Sequence, residues 1–445
     1  MKEDTKDMRK SFECVDLTPE KIRELAFETG FCKRKSGKID ASDFLINLCF
    51  QSIKDTVSYN DLAAQVHANS GVSASRQAYC ERTNESCMNF FQRILEHIIL
   101  SKCNDDDLEQ IKKQGRFKRI LIQDSTIIKL PLRLFNVFSG VRNAHTAVCN
   151  ARIQGIYDLI SGRFIKFSID PYSKNDLSVT MEIPVQPGDL ILRDRGYFTL
   201  ASVAKHKQAG ADSIYRYQHN TTLFNPKTNK KINVLKLLSR KGSVDMEVRS
   251  DTEKNLLLRL VAVPVPEKIA NQRRRKAKKN ASRHTVSQEI LKLMSWTIFF
   301  TTITDSAITF KEILMLYAIR WRIENIFKTW KSNFNFDKVH NVSEIQLHVL
   351  LRSRFIMITL IYQKLFLPLS VQVYRQTEKH LSLMKFMRYV SQNMKLMSNL
   401  IDCYWSDTAL FQAVMRYCTY DNRKRENFET TTRFILAKIN ETKSS

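Results

Sequence analysis

Glycine is scarce, with 11 in 445 residues, and those present form neither G-x-x-x-x-G-K-[ST] nor G-x-G-x-x-G nor G-x-S-x-G. Nucleotide-cradling loops and the serine-hydrolase elbow therefore lose their support. The nine cysteines are odd in number and scattered, and none are spaced as C-x-x-C. They read as reduced thiols of a cytosolic compartment rather than a disulfide framework. Neither H-E-x-x-H nor a cysteine–histidine set with zinc-finger spacing occurs, which argues against a nitrogen or sulfur metal site. Long apolar runs are missing too. The amino terminus MKEDTKDMRK leads into no apolar segment, and the best candidate for a span, Phe355 to Val371, contains Lys364 and Pro368. A buried core helix is expected there, and no membrane partner.

Acidic residues are comparatively few. Seventy-one Lys and Arg against 45 Asp and Glu leave a formal charge of +26, so the long-range field attracts polyanions before specific contacts form. Nucleic acid is the expected partner, in the cytosolic compartment that the thiols indicate. A 43% hydrophobic share with 26% charged residues suits a folded globular chain.

Along the chain, residues 1–110 read as short helices forming an N-terminal DNA-binding domain. Within it, a helix from about Asn60, a turn at Ser70-Gly71-Val72 and a second helix capped by Ser73 or Ser75 have helix-turn-helix spacing. Arg76, Gln77 and Arg82 would then face outward toward DNA, although an ordinary helical hairpin fits the same stretch. From Phe117 the pattern becomes strands: RILIQDSTIIKL, then a hairpin turning near Ser161-Gly162, then GDLILRDRGYF. With the helix that follows, they predict an α/β fold with a mixed sheet flanked by helices over residues 115–211 and 295–371. Residues 212–294 look like a β-rich insertion ending in a basic segment with Arg273, Arg274, Arg275 and Lys276. That block is either a solvated face or a phosphate-binding surface. Residues 372–445 read as a helical C-terminal region and a candidate dimer contact.

The stretch YAIRWRIENIFKTWK, Tyr317 to Lys331, holds one carboxylate among four cations. Read as a single helix, it places Tyr317, Arg320, Glu324, Lys328 and Lys331 within an arc of roughly 80°. An exposed helix with Arg320 and Lys328 paired to Glu324 would look the same. Two further carboxylates bear on the choice. Asp124 interrupts the apolar run ILIQDSTII, and Asp194 ends LILRDRGYF where the chain leaves the sheet. Three carboxylates without partner His or Cys form an oxygen-only set suited to Mg²⁺, and two such ions support in-line phosphoryl transfer at a phosphodiester.

These residues resemble the DDE transposases of the bacterial insertion-sequence-four group, cut-and-paste enzymes with an RNase H-like core. The signature Y-x2-R-x3-E-x6-K is matched by Tyr317, Arg320, Glu324 and Lys331, and DST and DRGYF after strands match at Asp124 and Asp194. The resemblance implies that Asp124, Asp194 and Glu324 are catalytic and bind two Mg²⁺, with Mn²⁺ able to substitute. It implies that Tyr317, Arg320 and Lys331, with Lys328 as an addition, grip phosphates near the cleaved end. It further implies that Trp296, before the strand leading to the Glu helix, stacks on a flipped base; packing within the strand is the other reading. Double-stranded terminal inverted repeats, target DNA and a homodimeric synapse would be the partners, with a hairpin intermediate. An RNase H-like nuclease without strand transfer, or a non-catalytic transposase-derived DNA-binding protein, shares parts of this pattern.

Overall fold

A computed structural model of the chain describes residues 9–34, 38–54, 57–101, 115–140, 147–173, 180–219, 221–250, 256–281, 285–392, 409–421 and 427–441. Most of the polar amino terminus, Cys103, Cys403 and the domain junction expected near residue 110 lie outside them. No disulfide joins the described cysteines.

The amino-terminal region is helical: α1 Pro19–Glu28, α2 Ala41–Lys54, α3 Tyr59–Ser70, α4 Arg76–Arg82 and α5 Glu85–Leu100. Side chains that accept hydrogen bonds from first-turn amides start four of them, namely Thr18, Ser58, Ser75 and Asn84. Gly71, at φ 74°, closes α3 in the left-handed conformation that glycine adopts without strain. The expected pair of helices is therefore α3 and α4, with Ser75 as the cap. Leu62, Val66 and Tyr79 are buried beneath them, and Arg76 and Gln77 are exposed. Arg82 differs from the outward placement expected. It donates to Cys32 Sγ at 3.4 Å and lies 4.9 Å from the Phe31 ring centre, because the ring face attracts a cation.

Among the described residues nine strands form one sheet: β1 Arg119–Lys129, β2 Asn150–Asp158, β3 Arg163–Pro171, β4 Asp189–Arg193, β5 Asp212–Arg216, β6 Leu223–Phe224, β7 Val244–Ser250, β8 Leu257–Pro264 and β9 Trp296–Thr301. Their spatial order is β3-β2-β1-β4-β5-β9-β8-β7-β6. The β1–β2 and β2–β3 pairs are antiparallel, β1–β4 and β4–β5 are parallel, and every pair from β5–β9 outward is antiparallel. All five residues of β4 are buried, as a strand flanked on both sides and covered on both faces should be. The crossover from β4 to β5 is α6, Leu200–Gln208. The strands of residues 212–294 continue the same sheet through the β5–β9 and β8–β9 pairings, and α7 Val234–Lys241, α8 Glu267–Asn280 and α9 Gln288–Leu293 accompany them.

After β9 come α10 Phe310–Ala318, α11 Trp321–Asn333 and α12 Glu344–Leu360, which runs through a π-helical turn at Ile361–Phe366 into α13, Leu367–Thr377. This continuous helix is long and apolar enough to cross a membrane by composition alone, but most of it is buried inside the protein. It is the core helix expected around Phe355 to Val371. The helices α14 Leu383–Gln392, α15 Ala409–Cys418 and α16 Phe428–Glu441 complete the described chain.

Candidate active site

Two neighbouring parallel strands bring the first two carboxylates together. In β1, Ile120 to Gln123 are buried and burial relaxes at Asp124. The β1–β4 register pairs Gln123 with Arg193, so Asp124 on β1 and Asp194 just past the end of β4 are the residues that follow this pair. Asp194 precedes a short turn, Arg195–Tyr197, yet its side chain makes no capping bond there. The carboxylate accepts instead from the Tyr317 hydroxyl at 3.4 Å.

The third carboxylate arrives on a helix that is not the one expected. Tyr317 to Lys331 does not form a single helix: α10 ends at Ala318 and α11 begins at Trp321. At the joint, the Ile319 amide bonds Leu316 O at 3.2 Å and the Arg320 amide bonds Tyr317 O at 3.1 Å. These are three-residue steps, with dihedrals of −63°, −24° at Ile319 and −50°, −31° at Arg320, the values of a 3₁₀ turn. No glycine or proline marks the break. Tertiary contacts set it, since Ile319 and Arg320 are both buried. The consequence is that Tyr317 reaches the site from α10 and Glu324 from α11, so the shared stripe of a single helix is replaced by convergence of two.

Arg320 sits at the centre. One guanidinium nitrogen donates to Asp124 Oδ2 at 2.6 Å and the other to Glu324 Oε1 at 2.8 Å. Its side chain is 7% exposed, against 15% for Asp124 and 37% for Glu324. The Arg320–Glu324 pair is the i,i+4 contact considered from sequence; the Asp124 bond, across 196 residues, is not one that helix spacing reveals. Burial pushes the Asp124 carboxyl up to about 6, with Glu324 and Asp194 adding to the rise, while Arg320 and the Ser125 amide oppose it. Burial works against the Arg320 charge, but Asp124, Tyr317, Asp194 and Glu324 more than offset this and raise its pKa. The Tyr317 phenol is pushed up to about 12, chiefly by burial, so it stays a hydrogen-bond donor.

Around this centre the other expected residues divide. Lys331 donates to Ile127 O at 2.7 Å, and burial lowers its pKa; Lys328 is exposed on α11. Trp296, at the start of β9, gives its indole N–H to Gly242 O at 2.8 Å and packs against the apolar layer of residues 212–294. Arg273 turns back to Trp296 O and Thr297 Oγ1, and Arg274 to Leu291 O, Glu267 and Ser295. These two arginines brace α8 on its neighbours, whereas Arg275 and Lys276 are exposed. Sequence reading passed over Trp321. Its indole is 55% exposed, and the Arg320 guanidinium lies 5.7 Å from its ring centre. An aromatic residue adjoining Arg320 was the signal available.

As they stand, no three described His, Cys, Asp or Glu side chains converge on one point. The donor set nevertheless fits a hard divalent cation in kind. It consists of carboxylate oxygens from three elements, two of them already satisfied by a single positive group, Arg320. The Tyr317 hydroxyl keeps a proton near Asp194.

Residues 115–360 match the family model described as the transposase DDE domain. The chain is 28% identical over 447 residues to the transposase for insertion sequence element IS231F of Bacillus thuringiensis subsp. israelensis, covering 94% of this chain and 92% of that protein. It is 30% identical to the IS231C transposase of Bacillus thuringiensis subsp. berliner over 74% of each, and 26% identical to the IS1151 transposase of Clostridium perfringens over 98% and 96%. Among solved structures, the piggyBac transposase synaptic complex with hairpin DNA aligns with 91% of this chain and 83% of that one, at 11% identity and a TM-score of 0.39. With more than half of its length matched to the domain model, and with relatives that are insertion-sequence transposases along nearly their full length, this chain belongs to the DDE transposase family of DNA-cleaving and strand-transferring enzymes.

Proposed function

We propose that this transposase binds the terminal inverted repeats of an insertion sequence and cuts them with Asp124, Asp194 and Glu324 as the ligands of two Mg²⁺ ions, for which Mn²⁺ can substitute. The observation that carries this reading is that Arg320 bonds both Asp124 and Glu324, while Asp194, which follows the strand paired with that of Asp124, accepts from Tyr317. DDE enzymes use divalent metal ions, which supply an activated water or 3′-hydroxyl and stabilise the leaving oxygen. Strand order supports an RNase H-like core made of β1 to β5: three antiparallel strands, β3-β2-β1, continue into parallel β4 and β5.

The chain's own residues have separable tasks. Asp124 and Asp194 are delivered by adjacent strands, so their spacing is set by the sheet. Glu324 is carried by a helix seated through buried Ile323, Ile326, Phe327 and Trp330. Tyr317, Arg320, Lys328 and Lys331 hold phosphates at the cleaved end, with the guanidinium suited to two acceptor oxygens at once. Trp321, exposed beside Arg320, offers a face for an unpaired base; Trp296 is the second candidate for that contact. Arg76 and Gln77 on α4, and Arg275 and Lys276 on α8, contact DNA further from the cut, where Arg273 and Arg274 set the pose of α8. Two copies pair the element's ends, with the C-terminal helices as the contact, and the reaction passes through a hairpin.

Asp124→Asn, Asp194→Asn and Glu324→Gln should each reduce Mg²⁺-dependent cleavage of end-containing duplex by on the order of 10³, equivalent to several kcal/mol of transition-state stabilisation. Electrophoretic retardation of the same duplex should be retained. Cleavage at the normal rate by purified Glu324→Gln protein would remove Glu324 from the site. Joined DNA products in the unaltered reaction separate strand transfer from simple hydrolysis.

A further inference from the structure

The guanidinium of Arg320 uses the oxygens that the cation needs. Its two terminal nitrogens bond Asp124 Oδ2 at 2.6 Å and Glu324 Oε1 at 2.8 Å, while its Nε is buried without a partner. A buried donor left unpaired counts against a permanent structural bridge, in which all five N–H groups would be satisfied. The group also has somewhere to go. It lies 5.7 Å from the ring centres of both Tyr317 and Trp321, and Trp321 is exposed. Trp321 thus sets an exposed aromatic face beside the buried guanidinium. A phosphodiester there presents two oxygens that match the guanidinium fork.

We infer that Arg320 is an internal cation that holds Asp124 and Glu324 until DNA arrives, and that transfer of its guanidinium to a backbone phosphate releases the carboxylates for the divalent ion. Metal and DNA end then bind cooperatively through one side chain, and by linkage each strengthens the other by the same factor. A transposase built this way keeps its metal site weak until DNA arrives. The inference rests on the assignment of Asp124 and Glu324 as metal ligands, and it extends the phosphate role of Arg320 to control over when that site forms.

The test is calorimetric titration of Mn²⁺ alone into the DNA-free full chain. Four proteins are compared: unaltered, Asp124→Asn, Arg320→Gln and Arg320→Lys, each checked for folding by circular dichroism. Arg320→Gln should bind Mn²⁺ about fivefold or more tightly than the unaltered chain, the lower end of ordinary coupling between sites. Arg320→Lys keeps the charge but gives up the fork, so it should also bind more tightly, by a smaller factor. Asp124→Asn should bind more weakly. If Asp124→Asn binds like the unaltered chain, the ligand assignment itself fails and the inference falls with it. If Asp124→Asn is weakened but neither arginine variant is tighter, the ligand assignment stands and the inference is overturned. The same holds if Arg320→Lys matches the unaltered chain, because Arg320 would then act by charge alone; should Arg320→Gln not fold, the Lys variant decides.

Discussion

Asp124 is the residue whose chemistry depends most on its surroundings. An exposed aspartate titrates near 3.9, but here burial, with Glu324 and Asp194 nearby, pushes the carboxyl up to about 6. Metal ligation needs the ionised form, and a raised acid is ionised only above its folded pKa. Mn²⁺ affinity of the DNA-free chain should therefore be level above about pH 6 and fall about tenfold per unit below it. Calorimetry across a pH series checks this, and a midpoint near 4 would show that the surroundings of Asp124 do not perturb it. The two tryptophans allow a second comparison at this scale. Trp321 is exposed, so Trp321→Ala should change stability by no more than about 0.5 kcal/mol. It should still reduce end cleavage by roughly 10-fold to 100-fold, the worth of about one stacked base. Trp296 bonds Gly242 and packs against a buried layer, so Trp296→Ala should instead lower stability by about 1–3 kcal/mol. Urea denaturation beside a cleavage assay separates the two; a Trp321→Ala enzyme with normal cleavage would leave the exposed indole without a role.

At the level of elements, α11 is the part whose placement decides the site. Trp330 lies 4.9 Å from Phe164 and 5.3 Å from Phe327, ring centre to ring centre, and Phe167 stacks on Phe355 at 4.2 Å. Gly155, paired with Asp124 across the β1–β2 ladder, makes room for this seat, since a Cβ there would come within 2.9 Å of Phe164 and 3.3 Å of Phe327. On another side, Arg322 forms an ion pair with Glu429 of α16 and reaches Tyr362, whose hydroxyl bonds that of Tyr157 at 2.7 Å. Glu429→Ala removes the carboxylate from a buried guanidinium. Because Glu429 is partly exposed, the loss should be about 2–3 kcal/mol, below the range for a fully buried pair. Urea midpoints test this, and an unchanged midpoint would show that α16 does not brace α11. Much of this level was legible in the sequence, because strands and caps are written locally: Asp124 within its apolar run, Ser75 before Arg76, the apolar positions of α11. The joint at Ile319 and Arg320 was not, because no residue there has a breaking propensity and the packing of distant elements sets it. Nor was the path of the sheet from β5 through β9 into β8, or the reach of Arg320 to Asp124 and of Arg322 to Glu429, since long-range partners leave no mark in local spacing.

For the whole molecule, the question is where a formal charge of +26 meets DNA. Net charge accounts for attraction but not for orientation, and several cations are already committed inside the protein. Arg273 and Arg274 bond neighbouring segments, and Arg320 bonds two carboxylates. On α8 the exposed cations are Lys268, Arg275, Lys276, Lys278 and Lys279, a dense row on an element held at the start of β9. If this row carries backbone phosphates, each lost contact should reduce the slope of log affinity against log salt by about 0.9. The triple change of Lys276, Lys278 and Lys279 to Ala should then reduce the slope by roughly 2–3 and weaken unrelated duplexes as much as element ends. Arg273→Ala should behave differently: its guanidinium bonds Trp296 O and Thr297 Oγ1, so the expected change is in stability rather than in the slope. Fluorescence anisotropy over a salt series, with Asp124→Asn as a background that binds but does not cut, measures the slope directly. An unchanged slope in the triple variant would place the DNA on another face and return α8 to the solvent, while a reduced slope fixes the direction in which the duplex leaves the carboxylates.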